Sequence, residues 1–128
     1  MNIPARVLLV DDHPAARRTA RAVLDDVGVR VAVVCGEAEN GKLAIEKVRR
    51  LQPDIVLLDI AMPEMDGVQT AYEIRRIAPY AKIIFFTVND SPEAVTAAKL
   101  LGVEALVAKS SPARVLVSTI EKLVTGQS

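Results

Sequence analysis

Residues Ile55 to Gly67 read IVLLDIAMPEMDG. An apolar run of strand length ends in one carboxylate, Asp59, and the pattern then breaks into Ala-Met-Pro and a turn-rich segment. A run without polar alternation fits a strand buried on both faces, as in the parallel sheet of an α/β fold. Such a strand presents its last side chain at the sheet edge. Asp59 is therefore read as a chemical acceptor, and Asp11, Asp12, Thr87 and Lys109 are expected to converge on it.

Upstream of this stretch, Pro53 closes an amphipathic helix whose buried side is Ala44, Ile45, Val48 and Leu51 and which begins at Asn40-Gly41. A strand is expected over Arg30–Cys35. Before it lies a helix opened by His13-Pro14 and ended by Gly28, with Ala16, Ala20, Val23, Leu24 and Val27 at 3.6-residue spacing and Arg17, Arg18 and Arg21 as a solvated face. The first strand, Arg6–Val10, stops at Asp11-Asp12. Downstream, Val68, Ala71, Ile74 and Ile77 mark a helix ending near Pro79, and a fourth strand, Ile83–Phe86, ends at Thr87. Asn89-Asp90-Ser91-Pro92 starts a helix with Ser91 as cap, Ala94, Val95, Ala98 and Leu101 inward, and Gly102 at its end. A short fifth strand, Ala105–Ala108, ends at Lys109, and Ser111-Pro112 opens a last helix lined by Leu116, Val117, Ile120, Leu123 and Val124, ahead of the tail Thr125 to Ser128.

Strict alternation of strand and helix implies one parallel sheet with helices on both faces, joined by right-handed crossovers: a doubly wound α/β sandwich. The 128 residues suffice for one well-buried core, so residues 1–128 are read as one domain. The chain is 51% hydrophobic with two Tyr, two Phe and no Trp, an aliphatic composition suited to such a sheet. Sixteen basic residues balance sixteen acidic ones, which excludes the basic field of a nucleic-acid binder. Cys35 is the only cysteine, so no internal disulfide exists, and it is read as a small core residue of a cytoplasmic protein. No segment has the length of a secretory or membrane-spanning stretch.

In a parallel sheet every strand's carboxyl end lies on one edge, where ligands bind. Asp11 and Asp12, Asp59, Thr87 and Lys109 follow four different strands and so gather there. Three clustered carboxylates repel one another unless a positive charge intervenes, and Mg²⁺ with its oxygen preference and tolerance for phosphate ligands meets that need. Lys109 suits a phosphoryl group as a point charge, Thr87 offers a hydroxyl donor, and an ionised Asp59 is a nucleophile for phosphorus.

Four stretches, VLLVDDHP, DIVLLDIAMPEMDG, FFTVND and LGVEALVAKSS, in this order and spacing, resemble the receiver domain of bacterial two-component response regulators over essentially the whole chain. The resemblance implies a flavodoxin-like five-stranded sheet in the order 2-1-3-4-5. It implies Asp59 as phosphoacceptor, Asp12 as direct Mg²⁺ ligand, Asp11 as an acid holding the metal, often through water, and the Ala61 backbone carbonyl as a further ligand. Thr87 matches the switch hydroxyl and Lys109 the lysine that pairs with the phosphoryl group. The implied partner is a sensor histidine kinase donating from phosphohistidine, with homodimerisation on phosphorylation and self-catalysed aspartyl phosphorylation and dephosphorylation as the only chemistry.

Two departures stand out. Leu106 occupies the place where receivers usually carry a ring that moves with the threonine, so the signal is expected to pass through backbone shifts at strands four and five. Ser110-Ser111 separate Lys109 from Pro112, and with His13-Pro14 they resemble the subfamily that precedes a LuxR-type helix-turn-helix. DNA would then be reached only through an output domain of a longer parent.

The blander readings are an Asp11-Asp12 pair that merely caps a helix, a strand-terminating Asp59, an edge Thr87, and a solvated Lys109. Their joint placement favours the site. His13 is read as a bystander, since hard Mg²⁺ prefers oxygen, and Met62 and Met65 as packing residues. An aspartyl phosphohydrolase of the haloacid dehalogenase type wants a second acid two residues after the nucleophile, where Ala61 stands. A flavin module wants a Ser/Thr-rich phosphate loop, where the acid pair stands. A phosphorylation-independent interaction module is the remaining alternative, kept open by Leu106.

Overall fold

The computed structural model describes residues 3–88 and 91–126. Ten elements alternate along the chain: β1 (Ala5–Val10), α1 (Pro14–Val27), β2 (Ala32–Ala38), α2 (Gly41–Leu51), β3 (Ile55–Leu58), α3 (Gly67–Ile77), β4 (Lys82–Thr87), α4 (Pro92–Leu101), β5 (Ala105–Ala108) and α5 (Ala113–Thr125). The strands form one parallel sheet in the order β2-β1-β3-β4-β5, the flavodoxin-like arrangement.

Because successive strand residues point to opposite faces, the apolar runs fill two cores. Leu8, Val10, Val56, Leu58, Ile83 and Phe85 meet Val48 of α2, Ile74 of α3 and Ala98 of α4. Val7, Leu9, Ile55, Leu57 and Ile84 meet Leu24 of α1 and Leu116 and Ile120 of α5. Positions 7–10 of β1, all of β3 and positions 83–85 of β4 are buried, so a polar side chain there would lose water, and side chains with chemistry are left to the carboxyl ends.

The helix boundaries follow local chemistry. The Asn40 carboxamide accepts from Leu43 N–H at 2.8 Å, Asp66 and Gln69 form a reciprocal capping box at α3, and Ser91 Oγ accepts from Ala94 N–H at 3.2 Å. Gly28 and Gly102 terminate α1 and α4 with φ of 97° and 65°. Asn89 and Asp90, expected at the start of α4, and Gln127 and Ser128 of the expected tail lie outside the described residues.

Several expectations are corrected. β2 spans Ala32–Ala38 rather than Arg30–Cys35, because Val31 and Ala32 N–H both donate to the Gly28 carbonyl in a turn that uses up the first valines. The strand then continues through Gly36 and the charged Glu37, which a half-exposed edge strand accommodates. Cys35 is accordingly half-buried. Ser111 does not cap α5: its N–H is tied into a turn with the Ala108 carbonyl, and Pro112 holds the cap position. Thr125, expected in the tail, is the last residue of α5. Val95 is exposed, because α4 packs through Ala94 and Ala98, and the next residue is rotated by about 100° around the axis. α1 opens at His13-Pro14 as expected, with His13 as its N-cap and no side-chain cap bond from either aspartate.

Candidate functional site

Register brings the strand ends together. Val10 pairs with Leu58 across β1 and β3, so Asp11 and Asp59 are adjacent at the carboxyl edge. The Asp59 N–H donates to the Val10 carbonyl at 2.9 Å, and the Asp11 N–H to Ala38 of β2 at 3.1 Å. On the other side Thr87 pairs with Ala108, and the Lys109 N–H donates to the Thr87 carbonyl at 2.7 Å. Asp11, Asp12, Asp59, Thr87 and Lys109 thus emerge on one edge.

The side chains of Asp11, Asp59 and Lys109 converge tightly. Lys109 Nζ donates to Asp11 Oδ2 at 2.5 Å and lies 3.7 Å from Asp59 Oδ2. Its ammonium also sits over the Phe86 ring, 5.8 Å from the centroid. Asp11, Asp59 and Thr87 are buried, at 6%, 3% and 0% exposure. Burial raises the Asp59 pKa, Asp11 and more weakly Asp12 push in the same direction, and Lys109 and the Ala61 N–H, donating to Asp59 Oδ1 at 3.4 Å, oppose them. Thr87 adjoins an open cleft of about 190 Å³ shared with Ala61, Ser91 and Ala94.

Asp11, Asp12, His13 and Asp59 each offer a ligand atom, all within 4.8 Å of one another. Asp12 Oδ1 is buried and has no hydrogen-bond partner among the described residues, and His13 Nδ1 lies 3.0 Å from it. An orphaned carboxylate oxygen beside two more carboxylates suits a hard divalent cation. His13, read as a bystander, lies within the cluster by distance, with its side chain 69% exposed.

Two contributors escaped the sequence reading. An added Cβ at Gly67 would lie 2.2 Å from the Asp59 carbonyl oxygen and 2.5 Å from Ile60 Cα, so only glycine lets α3 start against the end of β3. The Gly67 N–H in turn donates to the Ile60 carbonyl at 2.8 Å. A glycine in a turn-rich segment gives no warning of that close approach. The second is Arg17, grouped with the solvated basics of α1 but only 17% exposed.

A 2-1-3-4-5 parallel sheet with three carboxylates and a lysine gathered at its carboxyl edge defines a flavodoxin-like domain with an acidic, cation-ready site. Residues 7–121 match the response regulator receiver domain, and the chain belongs to that family. It is a receiver of two-component signal transduction. It is 40% identical over 112 residues to the chemotaxis protein CheY of Thermotoga maritima, covering 87% of this chain and 91% of that one. It is 32% identical over 124 residues to the nitrate/nitrite response regulator NarL of Escherichia coli K12, covering 97% of this chain but 56% of NarL. A solved two-component response regulator of the LuxR family from Aurantimonas sp. SI85-9A1 superposes with a TM-score of 0.88 at 32% identity, over 97% of this chain and 87% of the other. Among the described residues no helix is long and apolar enough to cross a membrane.

Proposed function

We propose that Asp59 is the phosphoacceptor of this receiver, and that Asp11, Asp12, Asp59 and the Ala61 backbone carbonyl hold Mg²⁺ beside it. The observation that carries the reading is the buried Asp59 carboxylate set between Asp11 and the Lys109 ammonium, next to an Asp12 oxygen that accepts no hydrogen bond among the described residues. The donor is a phosphohistidine on a sensor histidine kinase. An Asp59 oxygen forms the new bond to phosphorus while the bond from phosphorus to the donor's imidazole nitrogen breaks, leaving an acyl phosphate and the free imidazole, which takes up a proton. A cation held by these residues would offset the negative charge of the phosphoryl oxygens.

Lys109 moves from Asp11 to a phosphoryl oxygen, and the Thr87 hydroxyl donates to another, with the adjoining cleft giving Thr87 and the start of α4 room to shift. The chain acts on its own aspartate and turns over no external substrate. It works in the cytoplasm, where it alters a partner's or an output domain's activity, including transcription through a LuxR-type DNA-binding domain of a longer parent, and phosphorylation drives dimerisation.

Treatment with acetyl phosphate and Mg²⁺ followed by intact-mass spectrometry tests the reading. One hydroxylamine-labile phosphoryl group is expected on the wild type and none on Asp59→Asn or after chelation of the cation. An unlabelled wild type, or an equally labelled variant, overturns it.

A further inference from the structure

Arg17 does not share the solvent with its helical neighbours. Its Nη1 donates to the backbone carbonyl of Asp11 at 2.7 Å, and its Nε donates to Glu37 Oε1 at 2.8 Å. Glu37, near the end of β2, also accepts from Arg21 Nε on Oε2 at 2.7 Å, and its backbone carbonyl accepts from the Lys47 ammonium of α2. The Asp11 N–H is held by Ala38 of the same strand. The Asp11 carbonyl belongs to the peptide that joins Asp11 to Asp12. Arg17 therefore fixes the plane from which the Asp12 side chain departs; Asp12 Oδ1 accepts no hydrogen bond among the described residues, and its polar neighbour is the Nδ1 of the exposed His13, 3.0 Å away.

We infer that Arg17, buttressed by Glu37, is a positioning residue that sets the direction of the Asp12 carboxylate for the cation. The inference rests on the reading of Asp11 and Asp12 as cation-holding acids. A carboxylate that must search for its orientation loses affinity to that search, and groups behind a ligand recover it by holding the ligand ready. The planar guanidinium spans two acceptors at fixed angles, which a lysine ammonium in the same place does not reproduce. Glu37 has a second effect: it neutralises the Arg17 charge, which would otherwise repel a cation at the neighbouring acids. Arg21 shares the Glu37 carboxylate but makes no hydrogen bond to Asp11, so it separates anchoring of α1 to β2 from orientation of the Asp11–Asp12 peptide.

Mg²⁺ titration by calorimetry on the intact chain, with the melting temperature of each metal-free protein measured alongside, tests the inference. Arg17→Ala is expected to weaken Mg²⁺ binding by about tenfold or more, the usual effect of removing a group behind a ligand. Arg17→Lys recovers only part of this. Arg21→Ala, the loss of an exposed ion pair, changes Mg²⁺ affinity by less than about threefold even where it lowers the melting temperature. Amide resonances of Asp12 and His13 shift in the metal-free Arg17 variants and not in Arg21→Ala. Wild-type affinity in Arg17→Ala, or an equal loss in Arg21→Ala, overturns the inference. Should Arg17→Ala not fold, Arg17→Lys decides, and wild-type affinity there overturns it. A wild type that binds no Mg²⁺ removes the cation reading and this inference together, an outcome distinct from a wild type that binds and variants that do not differ.

Discussion

Burial and the neighbouring Asp11 carboxylate hold the Asp59 proton more tightly than an exposed aspartate holds its own, against the pull of Lys109 and the Ala61 N–H. The folded chain therefore keeps a proton that the unfolded chain has already lost. Stability falls as pH rises from the ordinary carboxylate value through the raised one, and above that the cost is complete. Asp59→Asn removes the charge and keeps the shape, so in metal-free buffer at neutral pH it is expected to melt higher than the wild type by a few degrees, with the two curves converging in acid. A variant melting at or below the wild type at neutral pH contradicts this. Glu37 has the opposite sign: the Arg21 hydrogen bond leads in lowering its pKa, with Arg17 adding to it, so its contribution is present above the ordinary value and is lost as pH falls through the lowered one. Lys109 yields another prediction. Its ammonium occupies Asp11 Oδ2 and repels an incoming cation, so Lys109→Met is expected to bind Mg²⁺ severalfold more tightly while accepting phosphate from acetyl phosphate more slowly. Calorimetry and mass spectrometry on the same preparation read both effects, and weaker Mg²⁺ binding counts against the argument.

The start of α3 shows how an element holds a residue in place. Its capping box, the Gly67 N–H bond to Ile60, and the missing Cβ at Gly67 together press the helix against the backbone of Asp59. Gly67→Ala puts a methyl carbon 2.2 Å from a carbonyl oxygen that cannot move without moving Asp59. The expected cost is about 1–3 kcal/mol, as for other forced overpacking, with slower phosphorylation because the loop carrying Ala61 shifts. Denaturant unfolding measures the first, and unchanged stability would show that the helix retreats freely. This contact was illegible in the sequence, because a turn glycine looks the same whether it serves a positive φ or a close approach. The strand-end positions of Asp11, Asp59, Thr87 and Lys109 are legible, because β1, β3, β4 and the short β5 are apolar runs with abrupt ends. The bounds of β2 are illegible for the converse reason: an edge strand exposed on one side needs no apolar run, so Gly36 and Glu37 give no sign that the strand continues.

Across the whole molecule the two cores lock the central strands, and change at the acidic edge has to leave through what is less tightly held. Leu106 packs half-buried against the core beneath α4, where the aliphatic side chain offers no ring to swing between two positions. α4 itself is anchored by two alanines, Ala94 and Ala98, with Leu101 only partly buried, while Leu100 and Val88 are exposed at 82% and 71%. Small residues bury little apolar area, so α4 is held by less hydrophobic free energy than α5, which is anchored by Leu116 and Ile120. Rearrangement at Thr87 is therefore expected to travel as movement of the β4–α4 backbone. Beryllofluoride with Mg²⁺, read by hydrogen exchange, should change protection over α4 and the ends of β4 and β5 while leaving β1, β3 and α5 as they were, and Asp59→Asn should abolish the change. Light scattering on the same samples reports whether the exposed leucine and valine are then covered by a second copy. Bound beryllofluoride with unaltered protection over α4 would place the outward route elsewhere, and Leu106 would then be a packing residue without a part in the switch.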